Sequence, residues 1–210
     1  MALTGRPRQF TLEDILDAGL ALLEAAGLSA LTMNAVAARL GTGRATLYNY
    51  VESRDELVDL MLGRALAEEA PLAVALEGRD WADALVDHMV AAFRNGLARP
   101  ALLQLSLATP KLHLGVAARG QDEILALQSI GFTPTRAAEV FRILVTQLLG
   151  HLGAAAALAN RPDTVLLDPD TELGAAQQHL DALGEERLYA SAVRTLVVGL
   201  AAELQARSSS

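Results

Sequence analysis

Between Thr11 and Met61 the apolar residues recur at intervals of three and four. Thr11, Thr32 and Ser53 open successive runs, and Gly27 and Gly41 close the first two. A chain punctuated in this way can build little here except a cluster of short helices. In the first run Leu12, Ile15, Leu16, Gly19, Leu22 and Leu23 share one helical face, and Thr11 with Asp14 approximates a capping box. In "LTMNAVAARLG" Thr32 is the cap, Val36, Ala37 and Leu40 turn inward, and Gly41 ends the helix. A "GTG" turn leads to "RATLYNYV", read as a helix of about two turns anchored by Leu47 and Val51. Ser53 and Glu56 form a second capping box, behind which Leu57, Leu60 and Met61 face inward.

Two short helices joined by a glycine-containing turn have helix-turn-helix geometry, in which the second helix offers its first residues to base edges in the major groove. Only a narrow stripe of "RATLYNYV" is needed for packing, so the rest is free for DNA. Arg44 can pair with guanine or reach a phosphate, and Asn49 can pair with adenine. Thr46, Tyr48 and Tyr50 can donate hydroxyls to phosphates. Arg54 opens the next helix, whose N-terminus already favours an anion. The candidate DNA-contacting set is therefore Thr42, Arg44, Ala45, Thr46, Tyr48, Asn49, Tyr50 and Arg54. A helical hairpin with a merely polar surface is the competing reading of the same spacing.

Charge fits a protein that touches nucleic acid with its first quarter alone. The net charge is −8, yet residues 5–54 hold five arginines against five acids. From residue 65 onward there are 11 basic and 17 acidic residues. An apolar fraction of 52% is ample for a core, and aromatics at 4% with few β-branched runs favour an all-α fold. The chain has no cysteine, which excludes disulfides, thiolate metal sites and a cysteine nucleophile. "MALTGRPRQF" lacks the apolar region of a signal peptide, so the expected location is cytoplasmic. Residues 143–159 are nearly long enough to span a membrane, but Thr146, Gln147 and His151 interrupt them. A helix buried in a core or at a subunit interface is expected there, and no membrane partner.

At this point "LTMNAVAARLGTGRATLYNYVESRDELVDLML" resembles the DNA-binding domain of TetR-type transcriptional repressors across residues 10–62. The resemblance implies a three-helix DNA-binding domain on an all-helical regulatory domain, working as a homodimer on double-stranded operator DNA. Later segments are similar to the tetracycline repressor's regulatory domain, in the same order: Leu76-Glu77-Gly78 with Trp81, then Phe93-Arg94, His113-Leu114-Gly115 and Gly131-Phe132. In tetracycline-binding relatives a histidine of the His-Leu-Gly segment ligates the magnesium of the drug complex, and His113 matches it. The other expected ligands fall on Ala70 and near Ala154, and a lone histidine makes no hard-cation site. No metal or cofactor is expected.

The expected boundary lies between a DNA-binding domain at 1–53 and a regulatory and dimerisation domain at 54–207. The latter should hold helices near 64–76, 80–97, 100–108, 118–130, 134–159 and 185–206, with a mobile loop at 160–180. "DPDTELG" within that loop resembles a calcium loop only superficially, because its glycine falls one place late. The apolar helices at 140–159 and 185–206 exceed what one small core needs, and pairing with their symmetry mates would bury the surplus. A small apolar or aromatic inducer is expected among Trp81, His88, Met89, Phe93, His113 and Gln147, where two histidines and one glutamine offer few polar groups. The alternative, a small helical enzyme or scaffold without DNA binding, has little support. No nucleophile elbow, phosphate-cradling glycine loop or HExxH motif occurs.

Overall fold

The computed structural model describes residues 10–108, 114–159, 168 and 170–208. The described residues are almost wholly helical and contain no strand. In order they form α1 (Leu12–Ala26), a single 3₁₀ turn (Leu28–Ala30), α2 (Met33–Arg39), α3 (Arg44–Leu47), α4 (Arg54–Ala67), α5 (Leu72–Leu76), α6 (Trp81–Ala98), α7 (Pro100–Ala108), α8 (Leu114–Ile130), α9 (Pro134–Ala159), α10 (Glu172–Leu183) and α11 (Glu185–Ser208). Two compact units result. One holds the chain through Glu68 together with Gln104–Ala117, and the other holds Glu69–Leu103 and Ala118–Ser210.

In the first unit the caps behave as the sequence dictates. The Thr11 side chain accepts from the Asp14 amide at 3.1 Å, and the Asp14 carboxylate accepts from the Thr11 amide at 2.7 Å, closing a full capping box. Thr32 caps α2 by accepting from the Ala35 amide at 3.1 Å. At α4, Ser53 accepts from the Glu56 amide at 3.1 Å, but the Glu56 carboxylate takes the Glu52 amide rather than that of Ser53. The inner faces of α1, α2 and α4 supply a core of Ile15, Leu16, Leu23, Val36, Ala37, Leu57, Val58, Met61 and Leu62. Gly19 lets α4 come close, since a Cβ there would stand 2.9 Å from the Met61 sulfur. Arg64 of α4 also reaches Glu13 and Asp17 of α1 at 2.9 and 2.8 Å. The sequence reading put a boundary after residue 53, whereas α4 packs with the helices before it.

In the second unit α6 is central, with α5, α9 and α11 packed on it. Leu85, Met89 and Phe93 of α6, Val140, Leu144 and Leu152 of α9, and Tyr189, Val193, Val197 and Leu200 of α11 form one buried cluster. The helix α9 is long and apolar enough to cross a membrane by length and composition, with a mean hydropathy of 1.4. Its inner residues pack into this cluster instead.

Three expectations need correction. Residues 64–76 are not one helix. Pro71 has no amide hydrogen and disfavours a helical Ala70, so α4 ends at Ala67 and α5 begins afresh at Leu72. The helix expected at 118–130 begins four residues earlier, at Leu114. The loop expected at 160–180 yields to a helix from Glu172, because the Thr171 side chain caps it by accepting from the Gly174 amide at 3.0 Å. Its periodicity is faint because only Gly174 of α10 is buried. Residues 160–167, and His113 with them, lie outside the described residues.

Candidate functional site

The first candidate is the surface built around α3. The end of α2 is satisfied by the turn itself. The Gly41 amide donates to the Ala38 carbonyl at 3.1 Å and the Thr42 amide to Ala37 at 3.0 Å. Gly41 sits at φ +66°, which a side chain would adopt only with strain. The helix α3 is shorter than the sequence suggested: regular structure stops at Leu47, and a turn carries the chain through Tyr50. Four residues cannot sustain a helix alone. Leu47 and Val51, 0% and 1% exposed, hold it down. Burying such side chains is worth about 1.5–3 kcal/mol each.

That anchoring turns a defined set outward. Arg44, Ala45, Tyr48 and Asn49 are exposed, while Thr42 and Thr46 are half-buried. The Arg44 guanidinium lies 5.6 Å from the centre of the Tyr48 ring, a cation–π pair that holds the guanidinium at the helix start. The structure gives Tyr50 and Arg54 other engagements. The Tyr50 hydroxyl donates to the Phe10 carbonyl at 2.7 Å, pinning the segment before α1. Arg54 Nε donates to the Leu31 carbonyl at 2.7 Å, and its Nη2 to the Leu28 carbonyl at 3.4 Å. The Arg54 side chain therefore ties α4 to the chain between α1 and α2 rather than standing free at the surface.

The second candidate lies in the second unit, where polar side chains meet inside an apolar shell. The Glu123 carboxylate of α8 is buried. Its Oε1 accepts from Arg119 Nε at 2.7 Å and from the Leu72 amide at 3.4 Å, and its Oε2 stands 3.5 Å from His88 Nε2. The other Arg119 nitrogens donate to the Glu69 and Ala70 carbonyls at 3.1 and 2.9 Å. Asn95 Nδ2 donates to Glu69 Oε1 at 3.4 Å, and burial pushes the Glu69 carboxyl above its ordinary range. The network fixes the short stretch between α4 and α5 to α6 and α8.

The six residues expected around an inducer divide between neighbourhoods. His88 joins Glu123. Phe93 is fully buried and stacks on Tyr189 at 4.5 Å, with His151 edge-on to Tyr189 at 5.1 Å. The Gln147 carbonyl contacts His151 Nδ1 at 2.9 Å. Met89 is buried one turn before Phe93, and Trp81 stands edge-on to Phe132 at 6.3 Å. Burial pushes the Tyr189 hydroxyl far above its usual range, so it stays protonated. The sequence reading missed Glu69, Arg119, Glu123, Tyr189 and His151. The first signal was available: Glu123 shares a helical face with Gly120, Ala126 and Leu127, a position where an acid needs partners.

Residues 15–61 match the family described as "Bacterial regulatory proteins, tetR family". That stretch runs from within α1 to within α4. The chain is 36% identical over 119 residues to the HTH-type transcriptional repressor DrrR1 of Streptomyces coeruleorubidus, a stretch covering 56% of this chain and 43% of that protein. The match thus spans less than half the length of that curated relative. The fold extends the likeness to nearly the whole chain. Apo ActR from Streptomyces coelicolor superposes with a TM-score of 0.75 at 25% identity, over 95% of this chain and 98% of that one. ActR has also been solved with actinorhodin, at a TM-score of 0.73 over 93% of this chain and 98% of that one. A TetR variant from Acinetobacter baumannii AYE in complex with minocycline superposes with a TM-score of 0.75 at 21% identity, over 90% and 92% of the two chains.

Proposed function

We propose that the protein is a ligand-responsive transcriptional repressor that binds a palindromic operator as a homodimer and is released by a small, largely apolar or aromatic inducer. The observation that carries this reading is the anchoring of α3 by Leu47 and Val51, which leaves Arg44, Ala45, Tyr48 and Asn49 exposed together at the second helix of a helix-turn-helix. Thr42 and Thr46 flank them and complete the contact set. Two-fold symmetry suits the surplus apolar surface on α9 and α11, where Ile143, Leu158 and Val198 stay exposed in one protomer. Half-sites then lie about 34–36 Å apart along the duplex. Working in the cytoplasm, such a dimer leaves DNA only if the inducer prefers the conformation that binds the operator poorly.

The inducer site is assigned to the second unit, near Met89, Phe93 and Gln147, with Trp81 and His88 at its margins. The similar protein ActR, solved with actinorhodin, supports a small-molecule ligand for this chain. The expected ligand positions at Ala70 and near Ala154 argue against a magnesium-tetracycline complex. Gel retardation on DNA flanking the gene tests the repressor reading: specific retardation by the wild type, lost in Arg44→Ala, is expected. Calorimetry with tetracycline and magnesium, with and without EDTA, tests the inducer class. Tight binding that EDTA abolishes would overturn the apolar assignment and make His113 a metal ligand.

A further inference from the structure

Arg44 and Tyr48 stand four residues apart and are both exposed, Tyr48 to 43%. Residues at that spacing share one helical face, and a helical side chain leans toward the turn before it. Helical geometry persists as far as Tyr48. Its amide donates to the Arg44 carbonyl at 3.4 Å, and its φ and ψ are −67° and −7°. Leu47 and Val51 on either side of it are buried, which fixes the backbone under the ring. The Arg44 guanidinium accordingly lies 5.6 Å from the centre of the Tyr48 ring, within the range of cation–π attraction. Two other arginines of this unit are engaged within the protein. Arg54 donates to the Leu31 and Leu28 carbonyls, and Arg64 pairs with Glu13 and Asp17. Among the described residues Arg44 forms no ion pair.

Attraction to a ring face uses up no N–H donor, so the planar fork of Arg44 stays whole. What the ring removes is freedom. An unrestrained arginine loses much rotamer entropy on meeting its target, and a guanidinium already held loses less. A phosphate fixes register without reading sequence and asks for little such order. Guanine O6 and N7 accept a bidentate pair from a fork in a defined orientation. The first residues of the second helix in a helix-turn-helix are also those that face base edges. We propose that Tyr48 is a positioning residue for Arg44: its ring holds the guanidinium to read one guanine in each half-site, and the ring rather than the hydroxyl carries that role. The expectation from sequence was a Tyr48 hydroxyl donating to a phosphate. The proposal rests on the reading of the chain as an operator-binding repressor, and gives that reading one base and the pair of residues that selects it.

The test uses the full chain as wild type, Arg44→Ala, Tyr48→Leu, Tyr48→Phe and the double variant Arg44→Ala/Tyr48→Leu. Wild type and Arg44→Ala each select duplexes from one random-sequence pool, and the guanine that wild type enriches and Arg44→Ala does not is the base assigned to Arg44. Gel retardation then compares the selected duplex with one in which that guanine is adenine. The ratio of the two affinities is taken within one preparation, so it does not depend on how much of a variant is folded. Tyr48→Leu should lose about twofold to fivefold of this discrimination for each half-site, and Tyr48→Phe should keep it. On the Arg44→Ala background Tyr48→Leu should cost no further discrimination at that position. The proposal is overturned if Tyr48→Leu keeps the wild-type ratio, if Tyr48→Phe loses as much as Tyr48→Leu, or if the losses of Arg44→Ala and Tyr48→Leu add. It also falls if no enriched guanine depends on Arg44. Any of these results beside an inverted repeat enriched by wild type leaves the repressor reading standing. Failure of wild type to enrich any sequence would sink the repressor reading and this proposal with it.

Discussion

Replacing Arg54 with methionine separates a structural role from a phosphate contact. Methionine keeps much of the apolar stem and removes every donor. The structure puts Nε 2.7 Å from the Leu31 carbonyl and Nη2 3.4 Å from the Leu28 carbonyl. A hydrogen bond from a charged donor contributes about 1.5–3 kcal/mol, and the longer bond sits at the weak end of useful geometry. Arg54 is half-buried, so water recovers part of the loss. A net cost of about 2 kcal/mol follows. For a chain of this size that lowers the melting temperature by roughly 4–8 °C. Circular dichroism measures the melt, and retardation assays over a salt series measure DNA binding. Each phosphate contact contributes about 0.9 to the slope of log affinity against log salt, so losing one in each subunit would flatten it by about 2. The structural role predicts an unchanged slope and a lower melting point. An unchanged melting point with a slope shallower by about 2 would refute the argument and restore Arg54 to the phosphate backbone.

Three further perturbations follow from the second unit. Glu123→Ala leaves Arg119 and His88 facing a buried gap, so urea denaturation should show a loss of about 3 kcal/mol, whereas a loss below about 1 kcal/mol would mean the cluster is solvated. Burial raises the Glu69 carboxyl above 4.5, so the folded state binds its proton more tightly than the unfolded one, and the stability this confers is lost as pH rises from about 4.5 through the folded value. Glu69→Gln should therefore gain on wild type across that window in denaturation curves, and a pH-independent difference would contradict the assignment. A Cβ on Gly96 would lie 2.6 Å from Leu152 Cδ1, so Gly96→Ala should cost about 1–3 kcal/mol in thermal melts and Leu152→Val should partly restore it; no loss would show that Leu152 has room to move.

Legibility in the sequence followed how much of the information was local. Caps are short-range, so Thr11, Thr32 and Ser53 could be read directly and each caps the helix it was expected to cap. The Leu47 and Val51 stripe was equally plain, because a short helix with two anchors leaves few choices. The intramolecular bonds of Tyr50 and Arg54 were not legible. Their partners are backbone carbonyls at Phe10, Leu28 and Leu31, separated by 40, 26 and 23 residues, and a carbonyl has no signature in sequence. The α10 helix was obscured because it packs through little more than Gly174, leaving propensity without periodicity. In the second unit most buried side chains are apolar, so pocket and core look alike in one dimension. Tyr189 stands out only once its hydroxyl is seen to lack a partner.

The most direct test of the account is nuclease footprinting of the purified protein on DNA flanking its gene, with the Arg44→Ala and Asn49→Ala variants alongside. The account predicts a protected inverted repeat with half-site centres about one helical turn apart or slightly more. It predicts that each variant loses about 1–3 kcal/mol of specific affinity. Protection confined to one half-site, or retardation that competitor DNA abolishes equally for every sequence, would contradict it.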